Sequence, residues 1–170
     1  GDGRGDVASA AKDSPGGNWF AWWEQPENLH TPWKKYVLAE DQLAATNIVI
    51  TELNGDGRAD FVASRGHGTG IVWYEAPDWK PHEIGEGLRE VHALAAGDLD
   101  GDGDQDVAAV AMGSLIAAWF ENDGKGNFHL HRIHDNQSAY DLRLVDMDGD
   151  GDLDMLVAGF AGNNVVWYEN

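Results

Sequence analysis

The chain has 170 residues, no cysteine, 42% hydrophobic residues and a formal net charge of −19. This length and apolar content suit a single domain or a piece of one. The absence of cysteine excludes disulfides and thiolate metal sites. The acidic charge argues against nucleic acid as a partner, and no apolar stretch is long enough for membrane insertion.

An acidic turn stands at the start of the chain and returns three times in fuller form. Residues 1–6 read Gly-Asp-Gly-Arg-Gly-Asp and match the last six positions of a nine-residue loop. Complete copies occupy residues 52–60, 98–106 and 146–154. Their sequences are Glu-Leu-Asn-Gly-Asp-Gly-Arg-Ala-Asp, Asp-Leu-Asp-Gly-Asp-Gly-Asp-Gln-Asp and Asp-Met-Asp-Gly-Asp-Gly-Asp-Leu-Asp. We therefore expect the chain to start inside a repeat unit.

Each complete loop has the ligand pattern of a calcium site. Side-chain oxygens at positions 1, 3, 5 and 9 with a main-chain carbonyl at position 7 are what a hard, flexible cation prefers. Glycines at positions 4 and 6 allow the positive φ that folds the carboxylates onto one point. The predicted ligands are Glu52, Asn54, Asp56, Arg58 and Asp60; Asp98, Asp100, Asp102, Asp104 and Asp106; Asp146, Asp148, Asp150, Asp152 and Asp154; and Asp2 and Asp6 in the partial copy.

Two alternatives to this calcium loop are an acidic turn without an ion and an EF-hand. The first is strongest for residues 52–60, where fewer anionic ligands imply weaker affinity. An EF-hand requires a bidentate Glu at position 12 and flanking helices. Position 12 is instead Ala63, Ala109 or Val157, and a short apolar run follows each loop. The loop is therefore expected to join two β-strands.

The loops belong to a repeat with four strand-length segments. The closing aspartates, Asp6, Asp60, Asp106 and Asp154, recur at intervals of 54, 46 and 48 residues. A Trp-aromatic-Glu triplet follows each loop, at residues 22–24, 73–75, 119–121 and 167–169. One segment precedes the loop, one follows it, the triplet lies in the third, and an aromatic five residues before an aliphatic marks the fourth. Four short strands per repeat of this length are typical of a propeller blade.

These loops and triplets resemble the FG-GAP/VCBS repeat family, which includes integrin α-chain heads, fungal lectins and carbohydrate-active enzymes. The resemblance covers nearly all of the chain. It implies an all-β fold, a β-propeller of four-stranded blades, with seven blades in the complete protein and about three and a half here. It also implies Ca²⁺ between the first two strands of a blade. The approximate repeats, 1–44, 45–90, 91–137 and 138–170, form one partial domain.

An incomplete ring leaves two explanations open. Either the remaining blades are missing because the chain is a fragment of a longer protein, or partial chains associate to complete the ring. An open array would expose sheet edges and blade faces, which favours the fragment. Because calcium sites of this kind fill where calcium is millimolar, we expect an exported protein, extracellular or periplasmic.

The loops opposite the calcium turns vary most between the repeats and are the expected ligand face. Aromatic rings beside amides and arginine suit sugars, so a glycan or an extracellular protein is the expected partner. The candidate ligand-binding residues are Trp19, Arg65, His67, His134 and Tyr140. Ordinary loop polarity is the alternative.

An enzyme is the rival function. Some relatives of this repeat are sugar dehydratases or polysaccharide lyases, which would need a general base and acid on the ligand face. Arg65, His67, His134 and Tyr140 are the candidates for those roles. No catalytic motif is visible, so we assign no catalytic residue and favour a structural and binding role.

Overall fold

A computed structural model describes residues 3–14, 17–42 and 44–170. Strands make up 55% of it, and the described residues contain one three-residue 3₁₀ turn, Met112–Ser114, and no α-helix. The all-β prediction is confirmed. In this part of the chain no helix has the length and apolar content to cross a membrane. The predicted ligand Asp2 lies outside the described residues.

The described strands form four antiparallel sheets in chain order. The first contains β1 (Val7–Ser14), β2 (Gly17–Glu24) and β3 (Lys34–Glu40). The second contains β4 (Ala45–Thr51), β5 (Asp60–Arg65), β6 (Ile71–Glu75) and β7 (Lys80–Glu83). The third contains β8 (Val91–Gly97), β9 (Asp106–Ala111), β10 (Ile116–Asn122) and β11 (Phe128–Asp135). The fourth contains β12 (Ala139–Val145), β13 (Asp154–Gly159) and β14 (Val165–Tyr168).

Each sheet is a meander in which consecutive strands are neighbours. The second and third sheets are complete four-stranded blades, and the sheets do not close into a ring. The three complete acidic loops join β4 to β5, β8 to β9 and β12 to β13. The prediction of partial propeller blades, with each loop between the first two strands, is therefore confirmed.

The first strand of each of the last three sheets carries a β-bulge at the same place in the repeat. Ala45 and Asn47 pair with two consecutive residues of β5, which leaves Thr46 as the extra residue. His92 and Tyr140 are the extra residues of β8 and β12. A bulge breaks the two-residue alternation and re-aims the extra side chain. For this reason the alternation that marks a strand in the sequence is interrupted near the starts of β4, β8 and β12.

The hydrophobic core lies between successive sheets. In β9, Val107, Ala109 and Ala111 pack toward the second sheet, whereas Ala108 and Val110 pack toward the fourth. All five are buried because strand residues alternate between faces and both faces of this sheet are covered. Small residues on the inner strands leave room for the larger rings of the third strand, such as Trp73.

A stacked ring ties the last strand of each of the first three sheets to the strand before it. The ring lies on the Trp of the triplet at a centroid distance of 4.3–4.5 Å, and its polar atom bonds to the Glu of the same triplet at 2.6–2.8 Å. The sets are Tyr36 on Trp22 and Glu24, His82 on Trp73 and Glu75, and His131 on Trp119 and Glu121. The triplet therefore holds its own blade together.

A buried asparagine ties one sheet to the loop of the sheet before it. The Asn122 side-chain nitrogen donates to the Leu53 carbonyl at 2.9 Å and to the Gln105 carbonyl at 3.0 Å. Asn170 repeats the contact, donating to the Leu99 carbonyl at 2.6 Å. Each of these amides follows a triplet and satisfies a carbonyl that its neighbour's loop would otherwise leave unpaired.

Replacing Asn122 with alanine should destabilise the protein by about 2 kcal/mol, because two carbonyls lose a buried donor. Urea unfolding in saturating calcium measures the change. Asn127→Ala is the matched control, since Asn127 is exposed and its amide donates to Asp123 within its own turn. Equal losses for the two variants would contradict a cross-sheet role for Asn122.

Candidate calcium sites and the opposite face

Loop 98–106 is folded by its own carboxylates. Asp98 accepts hydrogen bonds from the Gly101 and Gly103 N–H groups at 2.8 and 3.1 Å. Asp100 accepts from the Asp102 N–H at 3.1 Å. Gly101 and Gly103 have φ of 78° and 98°, values that a residue with a Cβ rarely adopts. Side chains at positions 1 and 3 are thereby turned into the loop.

The closing aspartate anchors both the loop and the third strand. Asp106 is fully buried and accepts from the Leu99 N–H at 2.8 Å and from the Asn122 N–H at 2.9 Å. Asp60 and Asp154 make the same pair of bonds in their own sheets. Burial raises the pKa of Asp106 above its ordinary value, although the two backbone bonds act in the opposite direction.

The carboxylates of two loops converge as a divalent cation requires. Oxygens of Asp98, Asp100 and Asp106 lie within 4.8 Å of one another. The same holds for Asp146, Asp148 and Asp154. A donor set made only of oxygen suits Ca²⁺, whose own charge would turn the mutual repulsion of these groups into attraction.

Asp104, at position 7 of its loop, is also surrounded by negative charge. The pKa of Asp104 is raised by desolvation first and then by the negative charges of Asp102, Asp123 and Asp98. Asp104 is predicted to ligate through its carbonyl, so its carboxylate adds charge around the ion. The two fully acidic loops therefore fit a calcium ion both in donor type and in electrostatics.

Loop 52–60 is neutralised in part by its own side chains. Glu52 accepts from the backbone N–H groups of residues 54–56 at 2.7–3.3 Å. The Asn54 amide donates to Glu75, and the Arg58 guanidinium lies 3.6 Å from an Asp56 oxygen. This loop thus has fewer anionic oxygens to offer a cation, as its sequence indicates.

Four rings lie in contact at the opposite end of the sheets. The rings of His67 and His92 are 4.9 Å apart, those of His92 and Tyr140 are stacked at 4.1 Å, and those of Tyr140 and Phe160 are 5.2 Å apart. We call these four residues the ring cluster. It brings together two of the predicted ligand residues, His67 and Tyr140, through a residue that the sequence reasoning missed.

The other three predicted ligand residues have different neighbours. The Lys35 ammonium lies 3.4 Å from a ring centroid of Trp19. The Arg65 guanidinium donates to the side chains of Gln42 and Glu83. His134 packs against an aromatic ring of the fourth sheet at 5.8 Å. Their contacts are with Lys35 for Trp19, with Gln42 and Glu83 for Arg65, and with Tyr168 for His134.

The repeat register contains the signal that would have found the missed residues. His92 and Tyr140 each stand six positions before the start of an acidic loop, where the second sheet has Thr46. Phe160 stands six positions after a closing aspartate, where the first repeat has Lys12. Aligning the repeats on their loops therefore predicts one shared surface from residues that are distant in sequence.

His92 is the buried member of the ring cluster. It is only 6% exposed, and its Nε2 has no hydrogen-bond partner among the described residues. Burial lowers its pKa below the ordinary value of 6.5, helped by electrostatic interaction with His67 and Lys12 and opposed by that with Glu90. The imidazole is therefore held in its neutral form.

Replacing Asp100 with asparagine should weaken calcium binding at loop 98–106 by about tenfold, because one anionic ligand is lost. The asparagine oxygen can still accept the Asp102 N–H, so the turn is preserved. Calorimetric titration with calcium measures the affinity and the number of sites. Glu86→Gln, an exposed charge neutralisation in the loop between β7 and β8, should change neither; an unchanged titration for Asp100→Asn would contradict ligation.

The lowered pKa of His92 predicts a loss of stability in acid. Unfolded His92 takes up a proton as pH falls through 6.5, whereas folded His92 resists it, so its contribution is complete above that pH and is lost as pH falls toward the folded pKa. His92→Phe keeps a ring against Tyr140 and should flatten the dependence of the melting temperature between about pH 7.5 and 5.5. His129→Gln, at an exposed histidine, should leave the wild-type slope.

Comparison with known protein families supports the fold and the loops. The model of the FG-GAP-like repeat matches residues 52–109 and 98–157, which together span more than half of the chain. No curated protein matched the chain. The matched segments contain all three complete acidic loops, and they confirm the resemblance noted in the sequence. The chain therefore belongs to the FG-GAP-like repeat family.

Proposed function

We propose that this chain is a calcium-binding β-propeller module of an exported protein and that it recognises a glycan on the face opposite its calcium loops. The observation that carries the proposal is the convergence of three carboxylates in each of two loops, within 4.8 Å. This geometry supports a structural ion, because the loop joins the first two strands of its blade. Ligand recognition is assigned to the other end of the sheets.

Calcium stabilises such a fold through mass action. Only the folded loop presents the converged ligands, so an occupied site adds RT ln(1 + [Ca]/Kd), about 2.7 kcal/mol when calcium is about 100-fold above Kd. Sites in extracellular modules bind at sub-millimolar to millimolar levels, which suits an exported protein. The proposed role of the ion is therefore structural: it holds the first two strands of the blade together and takes no part in chemistry.

Glycan recognition is supported by the exposed members of the ring cluster. Tyr140 is 45% exposed and Phe160 is 59% exposed, with ring centroids 5.2 Å apart. Two adjacent exposed rings suit the C–H face of a sugar, and the nearby His67 supplies a polar group for hydroxyls. The same end of the sheets contains loops that differ in sequence between repeats, as a recognition surface does.

Thermal unfolding followed by near-UV circular dichroism tests the calcium part. We expect the melting temperature to rise with calcium and not with magnesium, because magnesium gives up its water reluctantly and demands near-ideal octahedral geometry, whereas calcium accepts flexible sets of oxygen ligands. A melting temperature that is the same in EGTA and in calcium would overturn it. A glycan array probed in calcium tests recognition, with Tyr140→Ala as the variant expected to lose binding.

An enzyme acting on the same sugars is the second candidate. A neutral imidazole, His92, lies against Tyr140, and a general base must be unprotonated to act. Incubating each glycan bound on the array with the protein and examining it by mass spectrometry separates the two functions. Unchanged glycans support a binding module, whereas loss of water or chain cleavage that disappears in His92→Phe supports an enzyme.

A further inference from the structure

We infer that the open edge of the fourth sheet is a docking site for one β-strand of a partner polypeptide, which pairs antiparallel with β14 and lays a Tyr or His ring on Trp167. The inference does not depend on the proposed glycan recognition. It is carried by an unpaired backbone edge, by an exposed Trp-Glu pair on that edge, and by a residue pattern that occupies the same place in the other three sheets.

The strand β14 is paired on one side only. Its partner is β13, and no described strand lies along its other edge. The equivalent strands of the other sheets, β2, β6 and β10, are paired on both sides. An open edge presents unpaired N–H and C=O groups, and an extended peptide that adds to it makes main-chain hydrogen bonds. The edge of β14 therefore offers the backbone part of a binding site.

The side chains of Trp167 and Glu169 are exposed on this edge. In the first three sheets a ring covers the Trp of the triplet and bonds to the Glu of the same triplet. Within the described ranges no ring stacks on Trp167, which is 43% exposed, whereas Trp73 beneath His82 is 3% exposed. Glu169 is exposed as well. The fourth sheet therefore presents the same two groups with their surface open.

The register of the three complete sheet edges defines what an added strand must present. Opposite the Trp of the triplet is a Tyr or His, and opposite the Glu, two residues earlier in the strand, is a basic residue. A large aromatic residue precedes the basic one, and Leu or Ile follows the Tyr or His after one residue. On β14 this pattern would place a positive charge across from Glu169, an attractive cross-strand pair. The segments are Trp-Lys-Lys-Tyr-Val-Leu at 33–38, Trp-Lys-Pro-His-Glu-Ile at 79–84 and Phe-His-Leu-His-Arg-Ile at 128–133.

The leading aromatic residue of the pattern also has a place beside the fourth sheet. Trp79 packs against Trp22 of the preceding sheet, and Phe128 packs against Trp73, with ring centroids 6.4 Å apart in both cases. The equivalent position next to the fourth sheet lies at Trp119, where there is a cavity of about 100 Å³. An aromatic side chain at the start of the added strand would bury its ring there. The apolar lining of this cavity consists of Leu99, Trp119, Ile133, Leu153, Met155 and Tyr168.

A second copy of residues 1–170 does not offer this strand in unpaired form. Its three segments of the right pattern lie in or beside β3, β7 and β11, and each of these strands is paired in its own sheet. Transferring one of them to β14 would expose the Trp and Glu that it covers at home, so the exchange gains nothing. A partner polypeptide with an unpaired segment of this pattern loses no such contacts, and we therefore assign the edge to it.

A peptide with the pattern tests the inference. The probe is the acetylated and amidated nonapeptide Asn-Phe-His-Leu-His-Arg-Ile-His-Asp, the sequence of residues 127–135. It is titrated into the 170-residue chain in saturating calcium, and binding is followed by the NMR signals of the indole N–H groups, with Trp167→Phe identifying that of Trp167. We expect the Trp167 signal to shift as the peptide binds.

Substitutions in the peptide test the pattern itself. His131→Ala in the peptide should weaken binding by about tenfold, because both the stack on Trp167 and the bond to Glu169 are lost. His131→Tyr should leave the affinity unchanged, since Tyr36 fills this place in the first sheet.

Variants of the protein locate the site. Trp167→Ala should weaken binding of the peptide by about tenfold and Glu169→Gln by about threefold. Trp23→Ala and Glu86→Gln are the matched controls and should change nothing, because Trp23 packs on Trp19 in the first sheet and Glu86 is exposed between β7 and β8. The melting temperature of each variant verifies that it is folded.

The outcomes decide between the possible occupants. Binding that weakens in Trp167→Ala and Glu169→Gln but in neither control supports the inference. An unshifted Trp167 signal up to about 1 mM peptide overturns it. Binding that Trp167→Ala leaves unchanged also overturns it, because the peptide would then be replacing β11 or pairing with another edge. A dimer in sedimentation equilibrium that excludes the peptide and that Trp167→Ala dissociates would assign the edge to a second copy and overturn the partner.

Discussion

The closing aspartate of each acidic loop is the group on which the blade depends. Asp106 is fully buried, yet both of its oxygens accept backbone N–H bonds, one from the loop and one from the residue after the triplet. A buried carboxylate is tolerated only when it is bonded in this way or paired with a cation. The same side chain therefore fixes the loop, bonds to the end of the third strand and contributes an oxygen to the carboxylate cluster. Asp60 and Asp154 repeat this arrangement, so the anchor is a property of the repeat.

The acidic loops and the ring cluster lie at opposite ends of the sheets because antiparallel strands alternate in direction. Loops that join first to second strands are all at one end, where their carboxylates converge. The connections from second to third strands, and the starts of β8 and β12, lie at the other end, where the ring cluster forms. The converging carboxylates are thus at the opposite end from the rings. In the proposed function, this separation would let calcium hold the strands in place without competing for the ligand, and it would allow one end to vary while the other keeps its motif.

Sequence reasoning located the loops, triplets and four-strand order because each is a local pattern. The glycines at positive φ and the alternating carboxylates of residues 98–106 can be read without tertiary information. The bulges were missed because Thr46, His92 and Tyr140 interrupt the alternation from which strands are predicted. The ring cluster depends on packing between sheets, which single-sequence reasoning does not see. Trp19, Arg65 and His134 share loops or strand ends of the same kind, yet their partners lie elsewhere.

Loop 52–60 is folded by hydrogen bonds and depends less on a bound ion than the other two complete loops would. Glu52 satisfies three backbone N–H groups, Arg58 offsets Asp56, and the Leu53 carbonyl is held by Asn122 of the next sheet. These bonds fold the turn although it contains fewer acidic residues than loops 98–106 and 146–154. Repulsion among carboxylates is smaller there, so less is gained when a cation binds. We therefore expect the stability that calcium adds to come mainly from loops 98–106 and 146–154, each of which clusters three carboxylates. The second blade is stabilised instead by its hydrogen bonds to the next sheet. In an array whose units touch only their neighbours, an ion bound in the third blade would also stabilise the second through Asn122.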